Sequence, residues 1–317
     1  MSIVSSGTSI PALRAPSSPI STAPLTEVSW SEASGEDPNH GPYREPIRRA
    51  LKSIIAAQDA STGFLGAGRG HDSMYQHGFG MLALAEAYGA VDDRGLWGAS
   101  APGEQQQPRG RSTGAALELA VRCAVTSAAR NPHGAWRYSP DARDADTSVS
   151  GAVLMGLLAA RNAGIEVPDE TIAKALKYFA SMTGPNGQVG YSGSPGGGSD
   201  AVTSIAVLVF AIGKQKELPE YKRALEYLKG RGRDAEQQFQ GYPTYTRYYR
   251  AQALFQGDVE AWERWNASLI KELKAAQGKD GSFVGFANRG GFGGTVDTSL
   301  ALLALAVNFK FLPVYER

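Results

Sequence analysis

Cysteine is almost missing from this chain: Cys123 is the only one in 317 residues. An internal disulfide framework and every multi-cysteine zinc pattern are therefore excluded. Cys123 lies in the amphipathic run LELAVRCAVTSAA, where a small buried thiol is expected. An excess of either charge is missing too. The 32 Lys and Arg nearly match the 31 Asp and Glu, for a formal net charge of +1, which supplies no general attraction to nucleic acid or acidic membranes. No stretch approaches the ~18 continuous apolar residues that would suggest a membrane span. The start, MSIVSSGTSIPALRAPSSPIS, has no basic segment followed by an apolar core, so no secretory signal is read and a cytoplasmic location is expected. The Gly-rich runs SGSPGGGSD and NRGGFGG neither follow a strand nor carry the lysine of a phosphate loop, so they read as permissive connections. No cofactor motif is recognised.

What the chain has is ordinary apolar content, 42%, with 38 glycines concentrated between helical patterns. Its length suits one large domain or two small ones and is enough for a substantial core. Residues 1 to about 42 are rich in Ser, Pro, Thr and Ala without apolar periodicity, and read as an extended arm. From Tyr43 onward the chain is a series of helix pairs. Ile47, Leu51, Ile54 and Ile55 form one face of the first helix, with Arg44, Arg48, Arg49 and Lys52 opposite. After the turn STGFLGAGRG comes SMYQHGFGMLALAEAY, apolar on more of its circumference. A Gly/Pro/Gln-rich loop covers 91–111. Further pairs follow at 113–130 with 147–162, at Pro168 onward with SDAVTSIAVLVFAIGK, at 219–229 with PTYTRYYRAQALFQ, and at 258–277 with TVDTSLALLALAVNFK.

Gly63, Gly134, Gly187 and Gly281 mark equivalent turns of a repeat of about 47 residues, once the 91–111 insertion and a fourth unit without a clear turn are allowed for. In each pair the first helix is amphipathic and the second nearly all apolar. This asymmetry predicts an outer ring touching water and an inner ring buried between it and the centre: an all-α, α/α toroid over 43–317 with no significant β-sheet.

At this point particular motifs carry a resemblance. QGKDGSF (Gln277 to Phe283) looks like the QW-type repeat of squalene and oxidosqualene cyclases, and GAWRY and GQVGY look like weaker copies. With MYQHG (Met74 to Gly78), DTSVSG (Asp146 to Gly151) and LPVY (Leu312 to Tyr315), the body resembles the prenyltransferase and squalene-oxidase repeat family, most closely its short, single-toroid bacterial members. The resemblance implies the toroid and, for function, cyclases, protein prenyltransferase subunits or members of unknown activity. Full triterpene cyclases resemble two fused toroids, and this chain has room for one. The Asp-x-Asp-Asp acid motif of class II cyclases is matched at three positions by Asp144-Ala145-Asp146-Thr147, with Thr in place of the last carboxylate. Prenyltransferase zinc needs Asp, Cys and His together, and thioester domains need Cys-Gly-Glu-Gln; neither pattern is present.

The candidate site residues follow from the inner-helix starts. Asp72, Asp146, Asp200 and Asp297 precede inner helices, where an Asp caps free N–H groups; the same ends could also converge as a ring of carboxylates at one mouth. Asp144 is an extra acid two residues before Asp146. It reads either as a solvated loop acid or as the partner that tunes Asp146 as a proton donor. His77, with Tyr75 in the same MYQHG motif, reads as pocket-lining or as a buried structural group. His71 and His77 do not share a helix face, so no metal site is assigned. Tyr245, Arg247, Tyr248 and Tyr249 make the fourth inner segment unusually polar, fitting an aromatic cavity lining or rings packed on neighbours with the arginine paired to acids. Trp136 reads as turn packing. Two functions compete: a toroid that binds a hydrophobic (isoprenoid), glycan or peptide ligand without turnover, and an isoprenoid cyclase using Asp146 as general acid.

Overall fold

The computed structural model describes residues 38–66, 73–97, 110–231, 242–283 and 293–309. Residues 1–37 of the N-terminal arm, Asp72 and the LPVY motif lie outside these. Among the described residues all regular structure is α-helical, in ten helices. They are α1 (Arg44–Ala57), α2 (Ser73–Ala87), α3 (Thr113–Arg130), α4 (Thr147–Asn162), α5 (Asp169–Ser181), α6 (Asp200–Ile212), α7 (Pro219–Gly230), α8 (Pro243–Gly257), α9 (Val259–Ala276) and α10 (Gly294–Ala306). A single bridge between Thr183 and Val189 is the only β-type pairing among them. No helix of the described residues is long and apolar enough to cross a membrane.

The alternation of sequence character becomes an alternation of burial. In α1 only Ile47, Ala50, Leu51, Ile54 and Ile55 are buried, one stripe at helical spacing; in α5 the stripe is Ile172, Ala175, Leu176, Tyr178 and Phe179. By contrast α4 is buried without a break from Thr147 to Ala160, and α6 from Asp200 to Ala211. The even helices pack in series, α2 on α4, α4 on α6, α6 on α8 and α8 on α10. The odd helices cover them: α3 and α5 lie on α4, α7 on α6 and α8, and α9 on α8. Missing side chains let α2 and α4 approach closely. A Cβ on Gly78 would stand 2.6 Å from the Ala152 backbone, and one on Gly156 would stand 2.8 Å from the Gly78 carbonyl oxygen.

Adjacent pairs are joined by the turns. Gly63, after α1, lies against Leu119 of α3; Gly134, after α3, against Lys174 of α5; Gly187, after α5, against Arg223 of α7. At three steps of the repeat a turn glycine thus meets the odd helix of the next pair, at a backbone carbonyl for Gly63 and Gly187 and at the Lys174 side chain for Gly134. Trp136 fills its turn as expected: it is buried, and its indole N–H donates to the Ala124 carbonyl of α3 at 3.0 Å. Cys123 is buried on α3, and burial raises its thiol to about 11, so it is a packing thiol rather than a nucleophile.

Candidate functional site

The even helices begin where the turns end, and one hydrogen bond ties each described turn to the helix that follows. The residue two positions after the repeat glycine donates its backbone N–H to a side chain of the even helix that follows. Leu65 donates to His77 Nδ1 at 3.1 Å, Trp136 to Ser150 Oγ at 3.0 Å, Val189 to Thr203 Oγ1 at 3.1 Å and Phe283 to Thr298 Oγ1 at 3.1 Å. Gly63, Gly134, Gly187 and Gly281 all have positive φ, between 62° and 86°. His77 is therefore the first copy's version of a Ser or Thr acceptor. It is fully buried, its Nε2 lies near the Ala120 backbone without closing a hydrogen bond, and burial lowers its pKa to about 4. At neutral pH it is an uncharged acceptor at Nδ1, placed for structure.

Two of the even helices, α2 and α4, also dock their N-termini on the next turn along. Ser73 and Met74 at the start of α2 donate to the Tyr138 carbonyl, the Met74 N–H at 3.3 Å. At the start of α4, Thr147 donates its N–H to the Tyr191 carbonyl at 2.8 Å and its hydroxyl to the Gly190 carbonyl at 2.7 Å. Tyr138 and Tyr191 each stand four residues after a repeat glycine, and this equivalence brings their hydroxyls within 2.5 Å of each other.

Asp146 lies at the centre of this face. It is the N-cap of α4, with Oδ1 accepting the Val149 N–H at 2.8 Å and the Ser148 hydroxyl at 2.8 Å. Because the single Ser148 proton goes to Asp146, the Tyr75 hydroxyl, 2.5 Å from Ser148 Oγ, must be the donor of that contact. The result is a relay, Tyr75 to Ser148 to Asp146, linking α2 to α4. The other carboxylate oxygen, Oδ2, is buried without a hydrogen bond. Its cation is Arg137, with Nε 3.8 Å away, while Arg137 Nη1 pairs with Asp144 and its guanidinium covers the Tyr138 ring at 5.2 Å. Burial raises the Asp146 pKa, against the opposing pull of the Val149 and Ser148 hydrogen bonds and the Arg137 charge. Burial, together with the Asp146 charge, also holds the Tyr75, Tyr191 and Tyr245 hydroxyls above the ordinary phenol range. Tyr191 and Tyr242 stay 39% and 50% exposed, so the face is open to solvent.

The other candidates sit differently. Asp200 is the first residue of α6 rather than its cap, because Ser199 precedes it and accepts the Val202 N–H at 3.4 Å. The buried Asp200 carboxylate faces Arg231 Nε at 3.4 Å and Arg250 Nη1 at 3.8 Å, an ionic link from α6 to α7 and α8. Asp297 lies in the first turn of α10 behind Gly293, and its Oδ1 accepts the Thr244 hydroxyl of α8 at 2.5 Å. Of the three described acids at even-helix starts, only Asp146 caps its own helix. Asp144 is exposed beside Arg137.

In α8, Arg247 pairs with Glu272 of α9 at 2.5 Å. Tyr245, Tyr248 and Tyr249 are buried, with Tyr249 edge-on to both neighbours at 4.8 and 4.7 Å and Tyr248 6.4 Å from Phe79 of α2. The segment's polarity thus divides, Arg247 bonding outward to α9 and the rings packing inward. No cluster of three or more His, Cys, Asp or Glu able to hold a metal ion occurs among the described residues.

Arg137, Tyr138, Ser148 and Tyr191 join the site beyond the residues picked from sequence. The equal offset of Tyr138 and Tyr191 from Gly134 and Gly187, visible in GAWRY and GQVGY, is the one signal by which two of them could have been found. Compared with models of known protein families and with curated protein sequences, the chain matches none.

Proposed function

We propose that this chain is a single α/α toroid of the prenyltransferase and squalene-oxidase repeat type, and that its tyrosine-lined mouth binds a ligand without class II cyclase turnover. The toroid is supported by the serial packing of the even helices, the outer cover of odd ones and the thrice-repeated turn contact. The Tyr248–Phe79 approach between α8 and α2 fits rows that curve toward each other. For the site, the carrying observation is the use already made of Asp146. One oxygen caps α4 and holds Ser148, a cation stands before the other, and the position of the missing fourth acid is Thr147, whose hydroxyl bonds the Gly190 carbonyl. These are the partners of a structural carboxylate. The ligand classes open to such a mouth are the hydrophobic, glycan and peptide ones, since Tyr rings offer an apolar face and a polar edge together.

A second reading, isoprenoid cyclisation with Asp146 as acid, has one observation in its favour: burial raises the Asp146 pKa and leaves Oδ2 without a hydrogen bond, as a proton donor to an alkene would require. Incubation with a panel of prenyl diphosphates and squalene, followed by mass spectrometry of the extracts, separates the two. No product is expected. A product that disappears in Asp146→Asn, and persists in Asp297→Asn, would establish the cyclase instead.

The capping role has its own test. Asp146→Asn should change unfolding free energy by less than ~1 kcal/mol, because the amide oxygen still accepts the Val149 N–H. Asp146→Ala orphans that N–H and the Ser148 hydroxyl in a buried place, and should cost about 2 kcal/mol in urea denaturation. Equal losses in the two variants would mean that the negative charge, not the cap, is what α4 needs.

A further inference from the structure

Taking the mouth as the binding site, we infer that its ligand presents a cation, an alkylammonium or guanidinium group, to the Asp146 carboxylate and the surrounding tyrosines, in the place now taken by the Arg137 side chain. Three independent features point there.

The first is charge. Two acids, Asp144 and Asp146, share the guanidinium of Arg137, so among the described residues this cluster is one cation short. The second is an unmet acceptor. Asp146 Oδ2 is buried with no hydrogen bond, and Arg137 Nε at 3.8 Å is too distant to make one. A buried carboxylate oxygen without a donor is costly, and a ligand N–H placed there would remove that cost. A neutral ligand without a donor would leave it, so the site selects against one.

The third is that Arg137 already displays the binding mode. Its guanidinium lies 5.2 Å over the Tyr138 ring while facing both carboxylates, the pairing of π face and acid that recognises organic cations. Its closest partner, Asp144, is 61% exposed, so that contact is a solvated ion pair of the weak kind. Arg137 can therefore swing out with Asp144 and leave Asp146 to an incoming cation. Tyr75, bonded through Ser148 to the other Asp146 oxygen, and Tyr191, bonded to Tyr138, supply the remaining aromatic walls.

Isothermal titration of the full chain tests this with five probes: spermidine, a Gly-Lys-Gly tripeptide, tetramethylammonium, neutral cellobiose and the neutral isoprenoid farnesol. Spermidine or the tripeptide should bind saturably, and whichever binds tighter shows whether a free polyamine or a basic peptide is the better source of the cation. Tetramethylammonium, with no N–H for Oδ2, should bind more weakly. The decisive variant is Arg137→Ala. Removing the internal competitor should tighten cation binding about five- to tenfold, as expected for one like charge about 4 Å away with water screening between them. Asp146→Asn should weaken it at least tenfold, with circular dichroism and melting unchanged.

Weaker binding in Arg137→Ala, or no saturable cation binding by that variant, overturns the inference. If cellobiose or an isoprenoid then binds in a manner lost in Tyr75→Ala, the binding-module reading survives without the cation. If no probe binds at all, both fall.

Discussion

Gly187→Ala is expected to destabilise the protein by more than ~3 kcal/mol in urea denaturation, while Gly164→Ala costs about 1 kcal/mol. Both glycines have positive φ, 85° and 90°, so the backbone penalty of adding a side chain is shared. They differ in what surrounds them. A Cβ on Gly187 would be driven into the Arg223 carbonyl oxygen of α7, far inside van der Waals contact, whereas one on Gly164 meets nothing within 4 Å. Backbone cannot rotate away as a flexible side chain can, so α7 must shift and with it the packing of Ala224 and Leu228, both fully buried. Gly63→Ala, facing the Leu119 backbone of α3, should behave like Gly187→Ala. Equal costs at Gly164 and Gly187 would mean that the turn–helix contact does not hold neighbouring pairs together.

Acidification should remove about 3 kcal/mol of stability through His77 alone. Its pKa is lowered by burial from 6.5 to about 4. A base with a depressed folded-state pKa binds fewer protons folded than unfolded, so stability rises with pH across that interval. The contribution is fully present above pH 6.5 and is lost as pH falls from 6.5 toward 4. The mechanism is specific: once Nδ1 is protonated it can no longer accept the Leu65 N–H, and a fully buried imidazolium must be desolvated. In His77→Gln the amide oxygen can accept the same N–H without titrating. The variant should therefore lose about 3 kcal/mol less than the parent between pH 7 and pH 4, measured by urea denaturation. An NMR titration of the His77 ring offers a direct check, and a midpoint near 6.5, or the same acid slope in His77→Gln, would defeat the argument.

Several parts of the site could be read directly from the chain. Asp146 as a cap follows from an Asp placed one residue before an apolar helical run, with its acceptor reach to Val149 set by local geometry. The repeat glycines were legible for a similar reason, because a positive φ is a property of one residue. Asp200 and Asp297 carry nearly the same local letters, yet they are not caps. Ser199 reaches the Val202 N–H first, and α10 begins at Gly294, three residues ahead of Asp297. A shift of the helix start, by one residue at Asp200 and by a full turn at Asp297, turns an Asp from its own N–H groups toward a neighbouring helix, and no local pattern records that shift.

His77 shows the same divide from the other side. The motif MYQHG marked it as special, but its role is to stand where Ser150, Thr203 and Thr298 stand in later copies. Residues of such different chemistry share only a place in space.

The sequence alone sufficed for the helical class, the division into amphipathic and apolar helices and the turns between them, because periodicity, capping and backbone freedom act over one to four residues. Which acids keep a cation, which arginines are spent on partners such as Glu272 and Asp200, and which tyrosines meet around Asp146 depended on the packed helices. Tyr75, Arg137, Ser148 and Tyr191 come from four separate segments, and Coulomb and hydrogen-bond energies depend on distances of a few ångströms that helix packing sets.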